Sequence, residues 1–198
     1  MKEYSIAMAL EDFIPVVLYL LATCIVAKDL RHRMNGLQAV LYRVGTLMVF
    51  AAGALKALYK LLYAAGVGDF QWMSNQFFTN QALGFLIAGV TLTTVVIGKK
   101  KKNKAYGFIP TMALVGLMVV GLGAANASLA SVASKMKKGG AMTCFIVSFF
   151  LCMMMGYLSS KSFDQAYMHW AAEGINIVGQ GLLYLGCRIL HKAGLSKF

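Results

Sequence analysis

The sequence predicts an all-α, polytopic membrane protein with six transmembrane helices in a single domain, residues 1–198. Hydrophobic residues make up 59% of the chain and charged residues 13%, whereas soluble globular proteins have about 45–50% and about 25%. The mean hydropathy is +0.67. The apolar residues also form continuous runs near the ~20 residues that a membrane helix needs. This composition excludes a cytosolic enzyme, a disordered chain and a secreted disulfide scaffold.

Six apolar runs lie between short polar or basic segments. Each run is expected to be a helix, because backbone groups in lipid must form their hydrogen bonds within the segment. The expected spans cover residues 5–27, 37–67, 80–98, 106–126, 141–158 and 166–190.

The basic residues cluster beside these runs, so the net charge of +12 indicates membrane orientation and not a nucleic-acid partner. Placing residues 31–33 and lysines 99–104 in the cytoplasm puts the N-terminus outside. Six straight spans then leave the C-terminus and lysines 135–138 outside too, against the usual rule. A re-entrant hairpin bending at Gly121 and Gly123 would remove the conflict. The straight span is favoured, and the hairpin stays open.

The chain contains the signs of an internal repeat. Its two prolines both end the tripeptide Phe-Ile-Pro, at 13–15 and 108–110, and each opens the first span of a half. The further matches pair 31–36 with 135–140, 53–56 with 156–159, and 81–84 with 173–176. Because each half has an odd number of spans, halves 1–98 and 105–198 are expected to be inverted, with a site between them near the middle of the membrane.

Ionisable side chains within the first two runs predict an acid–base cluster. Such groups cost about 2.5–3.5 kcal/mol each on insertion scales and are candidates for function. Glu11 and Asp12 lie early in the first run, and Lys56 and Lys60 share one face of the second. Antiparallel neighbours bring these positions to the same depth. Alternatively, Asp12 caps a helix that begins near Phe13, and the lysines extend to the lipid headgroups.

The sixth run carries a polar stripe at helical spacing, which must face other helices or a water-filled path. Its members are His169, Glu173, Asn176, Gln180, Tyr184 and His191. Glu173 has no partner close in sequence, which favours a ligand, a proton or a distant lysine. The alternative is interhelical hydrogen bonding, worth about 0.6 kcal/mol a contact.

Further polar and aromatic residues complete the candidate site. Asn80 and Gln81 open the third run, and Trp170 either anchors the chain at the interface or stacks on a substrate. The expected substrate-binding residues are Glu173, Asn176, Gln180, Glu11, Asp12, Lys56, Lys60, Gln81, Asn80, His169 and Trp170. No catalytic residue, metal site or cofactor is predicted.

No motif in the sequence names a reaction. The features favour a small multi-pass transporter or substrate-binding permease for a small molecule, with a polar site between two three-helix halves. The alternatives are an intramembrane enzyme acting on a lipid or other hydrophobic substrate, and a membrane sensor or accessory subunit. The expected partners are the lipid bilayer and a small-molecule substrate. A homo-oligomer and a larger transport complex both stay open. The expected location is the bacterial cytoplasmic membrane.

Overall fold

Helices dominate the computed structural model, which describes residues 5–97, 111–159 and 166–198. They are α1 (Ile6–Glu11), α2 (Phe13–Asp29), α3 (Gly36–Ala65), α4 (Gln71–Asn75), α5 (Phe77–Ile97), α6 (Thr111–Lys135), α7 (Gly139–Ser159) and α8 (Ala166–Lys192). Short 3-10 turns cover Arg31–Arg33 and Leu195–Lys197. No strand occurs in these three ranges, so the predicted all-α class is confirmed.

Three helical segments of the described chain are long and apolar enough to cross a membrane: Ile6–Asp29, Gly36–Ala65 and Gln71–Val96. Their outward faces carry apolar stripes at helical spacing, such as Ile14, Val17 and Leu21 on α2, all of them exposed. Exposed apolar surface costs about 25 cal/mol per Å² in water, and lipid removes that cost. These faces indicate association with a membrane.

Local signals explain where the first helices begin and end. The Ser5 side chain accepts a hydrogen bond from the Met8 N–H and caps α1. Helix α2 begins at Phe13 with Pro15 in its first turn, where the missing N–H is tolerated. The predicted start near Phe13 is confirmed, but Asp12 makes no side-chain cap hydrogen bond. Its carboxylate is used elsewhere, as described below.

The six long helices pack as a ring in the order α2, α3, α5, α6, α7, α8 and back to α2. Neighbours within each half are antiparallel, since residues near the start of one helix contact residues near the end of the next. Gln38 Nε2 at the start of α3, for example, donates to Thr94 Oγ1 near the end of α5.

The two contacts that join the halves are parallel. A Cβ on Gly89 of α5 would lie 2.1 Å from the Gly121 carbonyl oxygen of α6. One turn further along α5 and two turns further along α6, Thr93 Oγ1 lies 3.1 Å from Ser128 Oγ. Both halves therefore run in the same direction, and these contacts contradict the predicted inversion. The two glycines let the backbones of α5 and α6 approach closely, and the contact of Thr93 with Ser128 further along both helices shows the parallel direction.

Many basic residues lie at one end of the ring, where α2, α5, α6 and α8 end. This basic end comprises residues 29–36, 135–139 and 188–198. The charge conflict raised by the sequence is thereby removed without a hairpin, since α6 is one continuous helix through Gly121 and Gly123. The structure agrees with the favoured straight helix, and the alternative bend at Gly121 and Gly123 does not occur. Lysines 99–104 and the second Phe-Ile-Pro, at 108–110, lie outside the described residues.

Candidate functional site

A cavity of about 150 Å³ lies inside the ring, between helices of both halves. It begins at the end opposite the basic end, here called the cavity end, and reaches Tyr19 and Phe85 near the midpoints of α2 and α5. Its polar lining consists of Asp12, Lys56, Lys60, Gln81, Glu173, Asn176 and Gln180. Its aromatic lining consists of Tyr19, Phe50, Phe77, Phe78 and Phe85.

Lys60 joins three helices at this cavity. Its Nζ lies 2.5 Å from Asp12 Oδ2 and 2.9 Å from Glu173 Oε1. All three side chains are buried, and a buried charge is costly unless it is paired and hydrogen-bonded. The prediction that Glu11 or Asp12 lies within reach of Lys56 or Lys60 is confirmed, and the partner of Glu173 is the distant lysine.

Lys56 lies one helical turn before Lys60 and lines the same cavity. Its Nζ stands 4.0 Å from the centre of the Phe77 ring, in a cation–π contact. Lys56 forms no ion pair in the described part of the chain, where the ion pairs involve Lys60 and His191. Lys56 therefore offers a positive charge to the cavity without a carboxylate beside it.

Two buried oxygen atoms at the cavity have no hydrogen-bond partner among the described residues: Asp12 Oδ1 and Gln180 Oε1. Gln180 makes only a weak contact through its other amide atom, Nε2, which donates to Cys152 Sγ at 3.6 Å. Buried polar atoms in proteins are nearly always hydrogen-bonded to protein or water. These two acceptors therefore call for a donor from water or from a ligand.

Four of the predicted site residues are not placed in the cavity lining. Glu11 has a buried Oε2 without a partner in the described residues, and Asn80 donates to the Gln76 side chain. Trp170 is an exposed residue, and the side chain of His169 lies outside what the structure describes. Glu11 and Asn80 each precede a residue that does line the cavity, and consecutive helical positions differ by about 100° in direction.

The aromatic lining and a second ion pair were not predicted from the sequence. The cavity lining includes four residues spaced as one helical face: Asp12, Pro15, Val16 and Tyr19. Extending the face that begins at Asp12 would therefore have found Tyr19. The second pair joins His191 Nδ1 to Asp29 Oδ2 at 2.7 Å. His191 belongs to the predicted stripe, but its partner lies 162 residues away. The spacing of residues along one helix cannot predict such a contact.

The cavity brings together carboxylates, ammonium groups and amides against an aromatic wall. Such a set can bind a small polar molecule through several hydrogen bonds and charges. Within the described residues, no three His, Cys, Asp or Glu side chains lie close enough to hold a metal ion. No family model matches the sequence, and no curated protein or solved structure matches it either.

Proposed function

We propose that this protein binds a small polar molecule between two three-helix halves and carries it across a membrane. The observation that carries the proposal is the cavity, which draws polar side chains from α3 and α5 of one half and α8 of the other to the inside of the ring. Polar groups at membrane depth mark substrate or ion pathways by default. An apolar cavity with a few convergent polar groups is the usual form of a small-molecule site.

In this proposal the three segments long and apolar enough to span, which contain α2, α3 and α5, cross the membrane with the basic end in the cytoplasm. The packing supports two related halves of equal direction, since the first helix of each half contacts the third helix of the other. The register agrees, because Gly53 and Gly156 each lie 17 residues after the first residues of α3 and α7, Gly36 and Gly139. Parallel repeats related by an axis along the membrane normal occur in transporters.

A second, smaller cavity supports a path along the axis of the ring. It has a volume of about 30 Å³ and is separated from the first by residues that line both, Tyr19, Phe85 and Leu122. The Tyr19 and Phe85 rings meet edge to face with their centres 5.7 Å apart. In a transport cycle this constriction is the layer that has to part before a ligand can move toward the basic end.

The topology of the proposal is tested by labelling single cysteines with a membrane-impermeant maleimide. Lys28→Cys and Ser134→Cys, on a background with the native cysteines replaced by alanine, should be labelled from the same side. Asn75→Cys should be labelled from the other side. These three residues are exposed. Labelling of Lys28→Cys and Ser134→Cys from opposite sides would instead support inverted halves and overturn the arrangement proposed here.

Binding and transport are tested with the purified protein in lipid nanodiscs and in proteoliposomes. A library of small polar metabolites should contain compounds that raise the apparent melting temperature, because a ligand of the native state stabilises it by mass action. These compounds should then accumulate in proteoliposomes unchanged. Chemical conversion of a ligand would contradict transport and favour an intramembrane enzyme.

Gln180→Met provides the matched variant for this assay. It keeps the length of the side chain and removes the acceptor oxygen without a partner, so we expect the fold to survive and ligand binding to weaken about tenfold or more. Gln71→Met is the control, since Gln71 is exposed on α4, away from the cavity lining. Equal ligand affinity in the two variants would argue that the cavity is not the binding site.

A further inference from the structure

We infer that the cavity takes a small zwitterion, with its ammonium group at Asp12, its carboxylate at Lys56, and an apolar side group against the aromatic wall. The inference rests on the proposed function and adds the chemical class of the ligand.

The formal charges of the residues that line the cavity balance without a ligand. Asp12 and Glu173 contribute two carboxylates, and Lys56 and Lys60 contribute two ammonium groups. A ligand with a net charge would leave an uncompensated charge in a buried site, which is costly. A ligand whose own charges cancel leaves the balance intact, and this favours a neutral molecule or a zwitterion.

The acceptors without partners favour a zwitterion over a neutral molecule. Asp12 Oδ1 and Gln180 Oε1 are buried and lack donors among the described residues, and both residues line the cavity. An ammonium group has three N–H donors and no acceptor. It could therefore donate to Asp12 Oδ1 in a charge-assisted bond, whereas Gln180, two turns further along α8 than Glu173, would take its donor from water or from another polar group of the ligand.

Lys56 supplies the complementary half of the site. Its ammonium group meets the Phe77 ring at 4.0 Å, a contact worth about 0.5–2 kcal/mol. A ligand carboxylate would give Lys56 a charge-assisted hydrogen bond, roughly twice as strong as a neutral one. Lys60 is engaged by Asp12 and Glu173, so Lys56 is the lysine whose charge a ligand meets without first displacing a carboxylate.

The size and lining of the cavity limit the size and polarity of the uncharged part of the ligand. A dry protein cavity of about 150 Å³ accommodates benzene, and the volume here is about 150 Å³. Phe50, Phe77, Phe78 and Phe85 line it and favour an apolar group. The ligand class is therefore a small amino acid or related amino carboxylate whose apolar group is no larger than a phenyl ring.

A matched series of three compounds tests this inference by isothermal titration calorimetry in nanodiscs. L-leucine carries both charges, 3-methylbutylamine only the positive one, and 4-methylpentanoate only the negative one. Leucine should bind at least tenfold more tightly than either of the others. Equal or tighter binding of the amine or of the carboxylate would overturn the inference.

Lys56→Met separates the two halves of the site, since it removes a charge that has no ion pair in the described chain and leaves the Lys60 cluster intact. Leucine affinity should fall to that of the amine, while the amine binds as to the wild type. Lys56→Arg keeps the charge and should retain the preference for leucine. An unchanged leucine affinity in Lys56→Met would also overturn the inference.

The metabolite library tests the proposed function independently of the leucine series. A ligand found there that is not a zwitterion, together with no binding of leucine, removes the inference and leaves the proposed function standing. A library without any ligand, with a correctly folded protein, removes both.

Discussion

Helices α2 and α8 are bridged by an acid–base contact at each end of the ring, but the surroundings of the two contacts differ. At the basic end, Asp29 pairs with His191 beside side chains that are fully buried, Leu30, Leu190 and Leu195. At the cavity end, Lys60 links Asp12 to Glu173 beside open space and acceptors without partners. The basic end is closed by packing, whereas the cavity end is held mainly by charges.

This difference indicates which end can change shape. Opening the basic end would expose a continuous apolar core that includes Val132 and Phe145, both 0% exposed. The cavity end also buries apolar residues such as Met8 and Ala57, but its contact between α2 and α8 is made by charged groups, which can exchange partners with water or a ligand. A carrier with this build would bind its ligand at the cavity end first, and ligand charges would compete with the Lys60 contacts that hold α2 and α8 together.

The largest expected effect concerns the cavity end. Lys60→Met leaves two carboxylates buried without their shared cation, and breaking a buried pair in this way costs about 3–5 kcal/mol. Chemical unfolding in detergent should show this loss. The triple variant Lys60→Met, Asp12→Asn, Glu173→Gln removes all three charges and should regain most of the stability. A stable single variant would show that the cluster does not hold this end together.

A smaller loss of stability is expected midway between the two ends, where α5 contacts α6. Gly89→Ala places a methyl group against the backbone of Gly121, so α5 and α6 must move apart, and overpacking of this kind costs about 1–3 kcal/mol. Gly174→Ala is the control, because nothing lies within 4 Å of its added Cβ. The control should gain up to about 1 kcal/mol from helix propensity. Equal stability of the two variants would contradict the close contact of α5 with α6.

The smallest effect is expected at the basic end. The His191 side chain is 49% exposed, although that of Asp29 is only 2% exposed, so solvent screens the pair from one side; exposed ion pairs contribute about 0.2–1 kcal/mol. Asn at position 29 can still accept a hydrogen bond from His191. Asp29→Asn should therefore lower the free energy of unfolding by less than about 1 kcal/mol in the same assay. A loss as large as that of Lys60→Met would show that charge, and not packing, closes this end as well.

Helical periodicity and the cost of buried charge were enough to predict the helical class and the pairing of Glu11 or Asp12 with Lys56 or Lys60. They also predicted that Glu173, Asn176 and Gln180 share an inward face, and the cavity lining includes all three. These features depend on spacing within one helix or between two consecutive ones. Whether any of these residues binds a substrate stays a prediction.

Only the tertiary structure decided the direction of the second half and the choice between adjacent residues. Counting spans gives an inverted half, but the contacts of Gly89 with Gly121 and of Thr93 with Ser128 show that α6 is parallel to α5, and no local pattern encodes such contacts. Asp12 and Gln81 line the cavity while Glu11 and Asn80 do not. Each pair is adjacent in sequence, and the side chain that faces the cavity depends on how the helix is rotated about its axis when it packs.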